Sequence, residues 1–166
     1  MYKRLVAPLD GSELAEEALP RAEELSHLCG AGIHLVRIID LLSGRPMSAY
    51  LAMEAAGFAE ATEAAMTESA EYLEEIRRQI ADRGYDVTTE VRRGPASSEL
   101  VQLVQPGDVL VMATHGRGGV SRWLLGSVAE EVARHSPVPV LLIRSTDIAA
   151  ESPASTAARE SNALVA

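Results

Sequence analysis

The chain is poor in aromatic residues, which make up 4% of it, with one Trp and one Phe. Its core must therefore come from Leu, Val, Ile and Ala. It has a single cysteine, Cys29, which excludes an internal disulfide and fits a reducing, cytoplasmic setting. Positive charge is in deficit: 15 Lys and Arg stand against 24 Asp and Glu, for a formal net charge of −9. Nucleic-acid binding draws its affinity from Lys and Arg that displace counterions from phosphates. A chain this acidic is a poor partner for DNA or RNA, and for an anionic membrane surface by the same reasoning. Long apolar runs are missing. No stretch approaches the ~18 residues of a membrane-spanning helix. The run over residues 5–9 stops at Asp10, too early for a signal sequence, so neither a leader nor membrane insertion is expected.

What is present is an ordinary globular composition, 47% apolar and 23% charged over 166 residues, enough for one domain with a sizeable core. Short apolar runs at 5–9, 33–39, 86–91, 108–113 and 138–143 alternate with longer segments of helical period. All but the third lack in/out alternation, the mark of parallel strands covered on both faces. Strand–helix–strand order with parallel strands implies right-handed crossovers and an α/β fold. A first helix is expected over 12–28, with Leu14, Ala18, Ala22, Leu25 and Leu28 inward and a kink at Pro20. A long helix follows over 59–83, with Met66, Ala70, Leu73, Ile76 and Ile80 on one face and Glu74–Arg78 paired at i,i+4. Shorter helices are expected over 96–104 and 127–134. Pro139 near the start of the fifth run suggests a sheet edge. Residues 41–52 read as a loop, 51–58 as either helix or lid, and 147–166 as a disordered tail without apolar periodicity.

Two segments carry chemistry. Pro8-Leu9-Asp10-Gly11-Ser12 joins the first strand to the first helix. Ala113-Thr114-His115-Gly116-Arg117-Gly118-Gly119 leaves the fourth strand, and Gly126-Ser127 opens the last helix. Clustered glycines let backbone N–H groups approach a ligand closely, and a helix start offers free N–H groups and a positive dipole end to an anion. Ser127 is suited either to cap that helix or to offer its hydroxyl to a phosphate. Asp10, just past a strand's carboxyl end, is suited to hydrogen-bond ribose hydroxyls, to hold a metal ion on phosphates, or to cap the first helix. The bland alternative for the second segment is a solvated loop whose glycines only make turns. No Gly-Lys-Ser/Thr, Gly-x-Ser-x-Gly or His-Glu-x-x-His occurs, and His27, His34, His115 and His135 do not fall at metal-ligand spacing. No acid–base pair or activated nucleophile is evident.

These stretches, with His34-Leu35-Val36-Arg37-Ile38-Ile39-Asp40 and Pro137-Val138-Pro139-Val140-Leu141-Leu142-Ile143-Arg144, resemble the universal stress protein family over about residues 1–145. The resemblance implies one domain at 1–146 with a Rossmann-like, doubly wound, five-stranded parallel sheet of order 3-2-1-4-5. ATP-binding members carry Gly-x-x-Gly, nine residues, then Gly-Ser or Gly-Thr. Here Gly116 and Gly126-Ser127 match, while Ala113 replaces the first glycine. Carried over by position, Pro8, Leu9 and Ile38 surround the adenine. Asp10, Met112 and Ala113 meet base and ribose. His115, Gly116, Arg117, Gly126, Ser127 and Val128 hold the phosphates, with Mg²⁺ on them. The resemblance further implies a homodimer through the fifth strand and a nucleotide-dependent regulatory role toward a protein partner not identified by sequence. A slow ATP hydrolase and a nucleotide-free interaction module are the alternatives.

Overall fold

The computed structural model describes residues 2–40, 48, 57–114 and 126–144. Its centre is a five-stranded sheet ordered β3-β2-β1-β4-β5, formed by β1 (Arg4–Pro8), β2 (Gly32–Ile39), β3 (Val87–Arg93), β4 (Asp108–Thr114) and β5 (Val140–Arg144). All neighbouring pairs are parallel, as the near-continuous apolar runs require. The helices are α1 (Glu13–Glu16), α2 (Leu19–Cys29), α3 (Phe58–Ala81), α4 (Ala96–Leu103) and α5 (Ser127–His135).

Strand alternation divides the core between two faces. Leu5, Val109, Val111 and Ile143 pack against Ala18 and Ala22 of the α1–α2 segment. Ala7, Leu9, Ile33, Leu35 and Val87 pack against Leu19 of α2 and Leu73, Ile76 and Ile80 of α3. The other face joins Val6, Val36, Leu110 and Met112 to Leu100 and Leu103 of α4 and Ala129 and Val132 of α5. The α1–α2 segment and α3 cover one face and α4 and α5 the other, the doubly wound arrangement expected from the sequence.

Three helical expectations are corrected. The segment 12–28 is not one kinked helix but two, because Pro20 falls in the first turn of α2, where its missing N–H costs nothing. On α2 Leu19, Ala22 and Ser26 are buried and Leu25 packs partly buried against the core as expected, while Leu28 is 70% exposed. The buried stripe of α3 is Thr62, Ser69, Leu73, Ile76 and Ile80, and Ala70 is exposed. Thr62 and Ser69 are polar and so fall outside an apolar stripe, yet both are buried; the Thr62 hydroxyl is satisfied within the helix, donating to the Phe58 carbonyl at 2.7 Å. Glu74 makes its close bidentate pair with Arg77, at 2.7 Å on both bonds, and lies 3.8 Å from Arg78. The loop at 41–52, most of the 51–58 stretch and the tail at 147–166 lie outside the described residues.

The amino edge of the sheet carries a buried polar cluster. His34 is 6% exposed. Its Nδ1 lies 2.8 Å from the Thr88 hydroxyl and its Nε2 3.3 Å from Glu90 Oε2. Burial and the nearby Arg4 charge hold His34 below its ordinary value of 6.5, against the pull of Glu90 and Asp108. The folded state therefore prefers the neutral ring. The stability this gives is complete above the unfolded value and is lost as pH falls through the lower folded value. Denaturant midpoints should accordingly decline as pH drops below about 6.5, and His34→Gln should flatten that decline. An unchanged slope in the variant would assign it to other groups.

Candidate functional site

At the carboxyl edge of the sheet, β1 and β4 part. Their register runs Arg4↔Asp108, Leu5↔Val109 and Val6↔Leu110 and goes no further. By contrast β1 stays paired with β2 to Pro8↔Val36, and β4 with β5 to Thr114↔Arg144. Pro8 has no N–H to extend a ladder. The connections from β1 and β4 leave toward opposite edges, so this is the switch point of the sheet, the place where α/β folds hold ligands.

A cleft of about 250 Å³ opens there. Pro8, Leu9, Val36, Ile38, Met112 and Ala113 line it from the sheet, and Ala96 and Leu100 from α4. Asp10, Ser12, Leu14 and Ala15 come from the β1–α1 segment, Thr114 from the end of β4, and Gly126, Ser127, Val128 and Ala129 from the start of α5. Every site residue singled out from the sequence that is described lies in this lining. His115, Gly116 and Arg117 lie outside the described residues. Among the lining residues to which sequence reasoning gave no site role are Val36, Thr114, Ala96 and Leu100. The first two were within reach, since each lies two residues from a named site residue on the same strand face. Ala96 and Leu100 sit one helical turn apart on α4, and only the packing of α4 on the sheet brings them here.

Asp10 is exposed, yet its carboxylate is held. Oδ1 accepts from the Ser12 N–H at 2.9 Å and from the Ser12 hydroxyl at 2.6 Å. Burial works against the charge, but these donors, with the positive field of Arg37, outweigh it and keep the carboxyl below its ordinary value of 3.8. The cap of α1 is Ser12 rather than Asp10: its Oγ accepts from the Ala15 N–H at 3.1 Å. Ser127 is likewise not the cap of α5. That position belongs to Gly126, and no side chain caps the helix. The first N–H groups of α5 thus begin at the cleft without a side-chain acceptor, and the helix dipole adds its positive end. Among the described residues no group of His, Cys, Asp and Glu is arranged to hold a metal ion.

Apolar walls, one fixed carboxylate and an uncapped helix start suit a planar apolar group joined to an anion. Residues 1–144 match the universal stress protein family. The chain belongs to this family. A universal stress protein of Methanocaldococcus jannaschii, MJ0531, is 30% identical over 147 residues, covering 87% of this chain and 83% of its own length. The solved structure of a second M. jannaschii protein, MJ0577, superposes with a TM-score of 0.68 at 28% identity, covering 87% of this chain and 96% of that one. A universal stress protein from Archaeoglobus fulgidus, solved in complex with dAMP, shares the fold at 18% identity with a TM-score of 0.54, over 86% of this chain and 98% of its own. Within the family's Rossmann-like frame, the cleft of this universal stress protein occupies the β1–β4 junction that the strand order creates. No helix among the described residues is long and apolar enough to cross a membrane.

Proposed function

We propose that this universal stress protein holds an adenine nucleotide, ATP with Mg²⁺, in the β1–β4 cleft and acts as a homodimeric, nucleotide-dependent regulator in the cytoplasm. One observation carries the reading: the Asp10 turn and the uncapped start of α5 line the same apolar-walled cleft. The base fits between Pro8, Val36, Ile38, Leu100 and Met112. Asp10 is the acceptor for ribose hydroxyls, and the first turn of α5 with the Ser127 hydroxyl is the donor set for phosphate. His115, Gly116 and Arg117 join them by motif position. Among the described residues Asp10 is the only acidic one in the lining, so Mg²⁺ would be carried on the phosphates with its waters rather than by a protein cage. The dAMP complex of the A. fulgidus relative is a precedent for an adenine nucleotide on this fold.

Ala113 replaces the first motif glycine, and its methyl packs with the cluster of Leu5, Val111 and Ile143 on the α2 face. That placement supports room for a ribose beside it. Hydrolysis is less well supported than holding. Among the described lining residues Asp10 is the one carboxylate, and a carboxyl whose charge is stabilised below its ordinary value is a weak general base.

The direct test is the nucleotide content of freshly purified protein, with ATP titration of stripped protein alongside. Near-stoichiometric ATP is expected, or a Mg²⁺-ATP stabilisation of about 2.7 kcal/mol at one hundred times Kd. No nucleotide and no thermal response at millimolar ATP would sink the reading and leave the nucleotide-free interaction module.

For the dimer, β5 is an edge strand with Leu141 37% exposed, a pairing template for a second copy. Leu141→Asp should convert the dimer to monomer by light scattering while nucleotide binding persists. A wild-type protein that is monomeric at micromolar concentration would remove the dimer from the proposal.

A further inference from the structure

Arg37 belongs to neither the cleft lining nor the phosphate-binding motif. It sits in β2 between the cleft residues Val36 and Ile38, so its side chain leaves the opposite face of the sheet. There the guanidinium carbon lies 5.0 Å from the centre of the Tyr72 ring, on α3. The same guanidinium fills the space beside Gly11. A Cβ at that glycine would come within 3.1 to 3.3 Å of its Nη1, Nη2 and Cζ atoms. Gly11 itself has a φ of 87°, so the turn between Asp10 and Ser12 depends on a residue without a side chain and is intrinsically soft. The Tyr72 hydroxyl donates to Glu16 Oε1 at 2.7 Å. Glu16 lies on α1, whose cap is Ser12, and Ser12 donates both of its bonds to Asp10. The contacts close a circuit: Asp10, Ser12, α1, Tyr72 of α3, Arg37 of β2, and back to the turn at Gly11. Among the described residues the Arg37 guanidinium makes no ion pair; the ring face and the turn are its setting.

We propose that Arg37 is a positioning residue for the nucleotide site, clamped on the Tyr72 ring so that it braces the Asp10–Gly11–Ser12 turn from the α3 side and holds the Asp10 carboxylate in place. The inference rests on the nucleotide reading of the cleft, since Asp10 is the group that meets the ligand there. Among the described residues, Arg37 from β2 acts on Asp10, and Tyr72 from α3 feels Asp10, Arg37 and its own partner Glu16 from α1. Arg37 is the positive one, and its field favours the ionised acceptor. A guanidinium is suited to this position because its plane stacks on a ring while its charge stays in place, which a lysine does only in part.

The test uses the full chain and two readouts. The first is the titration of the Asp10 carboxyl by carbon-detected NMR in nucleotide-free protein. The second is the ATP dissociation constant between about pH 4 and pH 8. Arg37→Met should move the Asp10 midpoint upward and weaken ATP roughly tenfold at neutral pH. The loss should deepen only in solution more acidic than about pH 5, where Asp10 takes up its proton. Arg37→Lys, which keeps the charge, should restore the Asp10 midpoint and most of the affinity. Tyr72→Leu should behave as Arg37→Met does, and Tyr72→Phe, which keeps the ring, should be milder; these two serve if Arg37→Met does not fold. An unmoved Asp10 midpoint, or equal losses in the Met and Lys variants at every pH, would overturn the inference and leave Arg37 a packing residue. A wild-type protein that binds no nucleotide would instead remove the nucleotide reading, and the Asp10 titration would still decide whether Arg37 governs that carboxylate.

Discussion

Asp10→Ala is expected to weaken ATP binding by roughly 10- to 100-fold, the scale of one charge-assisted hydrogen bond of about 1.5–3 kcal/mol. Asp10 sits where β1 ends and the ladder to β4 has already stopped, so its carboxylate borders the cleft rather than the core. The fold should survive. The local loss is the Asp10–Ser12 interaction at an exposed turn, and Ser12 still caps α1 through its bond from Ala15. Calorimetric titration with Mg²⁺-ATP, beside a thermal melt of the nucleotide-free proteins, separates the two effects. Asp10→Asn sharpens the test. It keeps an oxygen to accept from Ser12 and removes only the charge, so it should restore the melting temperature and not the affinity. Wild-type affinity in Asp10→Ala would remove the carboxylate from the site. Because Asp10 titrates below 3.8, the wild-type affinity owed to it should be flat from neutral pH to about pH 5 and fall only in more acidic solution.

The largest stability effect is expected at the opposite edge of the sheet. Arg4 and Asp108 open β1 and β4 as register partners, and Arg4 Nη2 donates to Asp108 Oδ2 at 2.6 Å, with Nε donating to Oδ1 at 3.1 Å. The Asp108 side chain is only 5% exposed and the Arg4 side chain 29%. Asp108 also accepts the Gln105 N–H at 2.8 Å, tying the turn after α4 to the sheet. Arg4→Met leaves a buried carboxylate with that single remaining donor. The cost should be about 2–3 kcal/mol, the lower range for a broken buried pair because Arg4 keeps contact with water. Urea denaturation measures it. Arg4→Met/Asp108→Leu should recover most of the loss, since the stranded charge is then gone. Burial opposes ionisation of Asp108, but Arg4 and the Gln105 N–H outweigh it and hold the carboxyl below 3.8. The pair's contribution is therefore complete above the unfolded value and disappears as pH falls through the folded one. The gap between wild type and Arg4→Met should close below about pH 4. A gap constant down to pH 3 would mean that packing of the Arg4 stem, not the charge pair, supplies the difference.

The correspondence between sequence and structure follows a physical division. Strands were legible because parallel strands are buried on both faces, which writes an apolar run such as Val109-Leu110-Val111-Met112 directly into the chain. The site was legible where its chemistry is local: Asp10, Gly126 and Ser127 stand at strand and helix ends, and ends have their own residue signals. Boundaries failed where one residue admits two local outcomes. Pro20 stops a helix or starts one, and the choice fell to a start because Ala18 and Leu19 bury on the sheet. An apolar stripe does not reach Thr62 and Ser69, which are buried in the core; the Thr62 hydroxyl satisfies itself on its own helix.

Composition, period and motif by themselves determined the α/β class, the parallel strands and the two segments that reach the cleft, because each is set by residues close together in the chain; the strand order came with the family resemblance. Tertiary structure alone decided that α4 supplies a wall of the cleft, that Arg4 meets Asp108, that His34 is buried beside Glu90, and that Arg37 lies between Tyr72 and Gly11. Those contacts join residues from different strands and helices, and no periodicity along the chain records which side chains meet once the sheet has twisted and the helices have settled on its two faces.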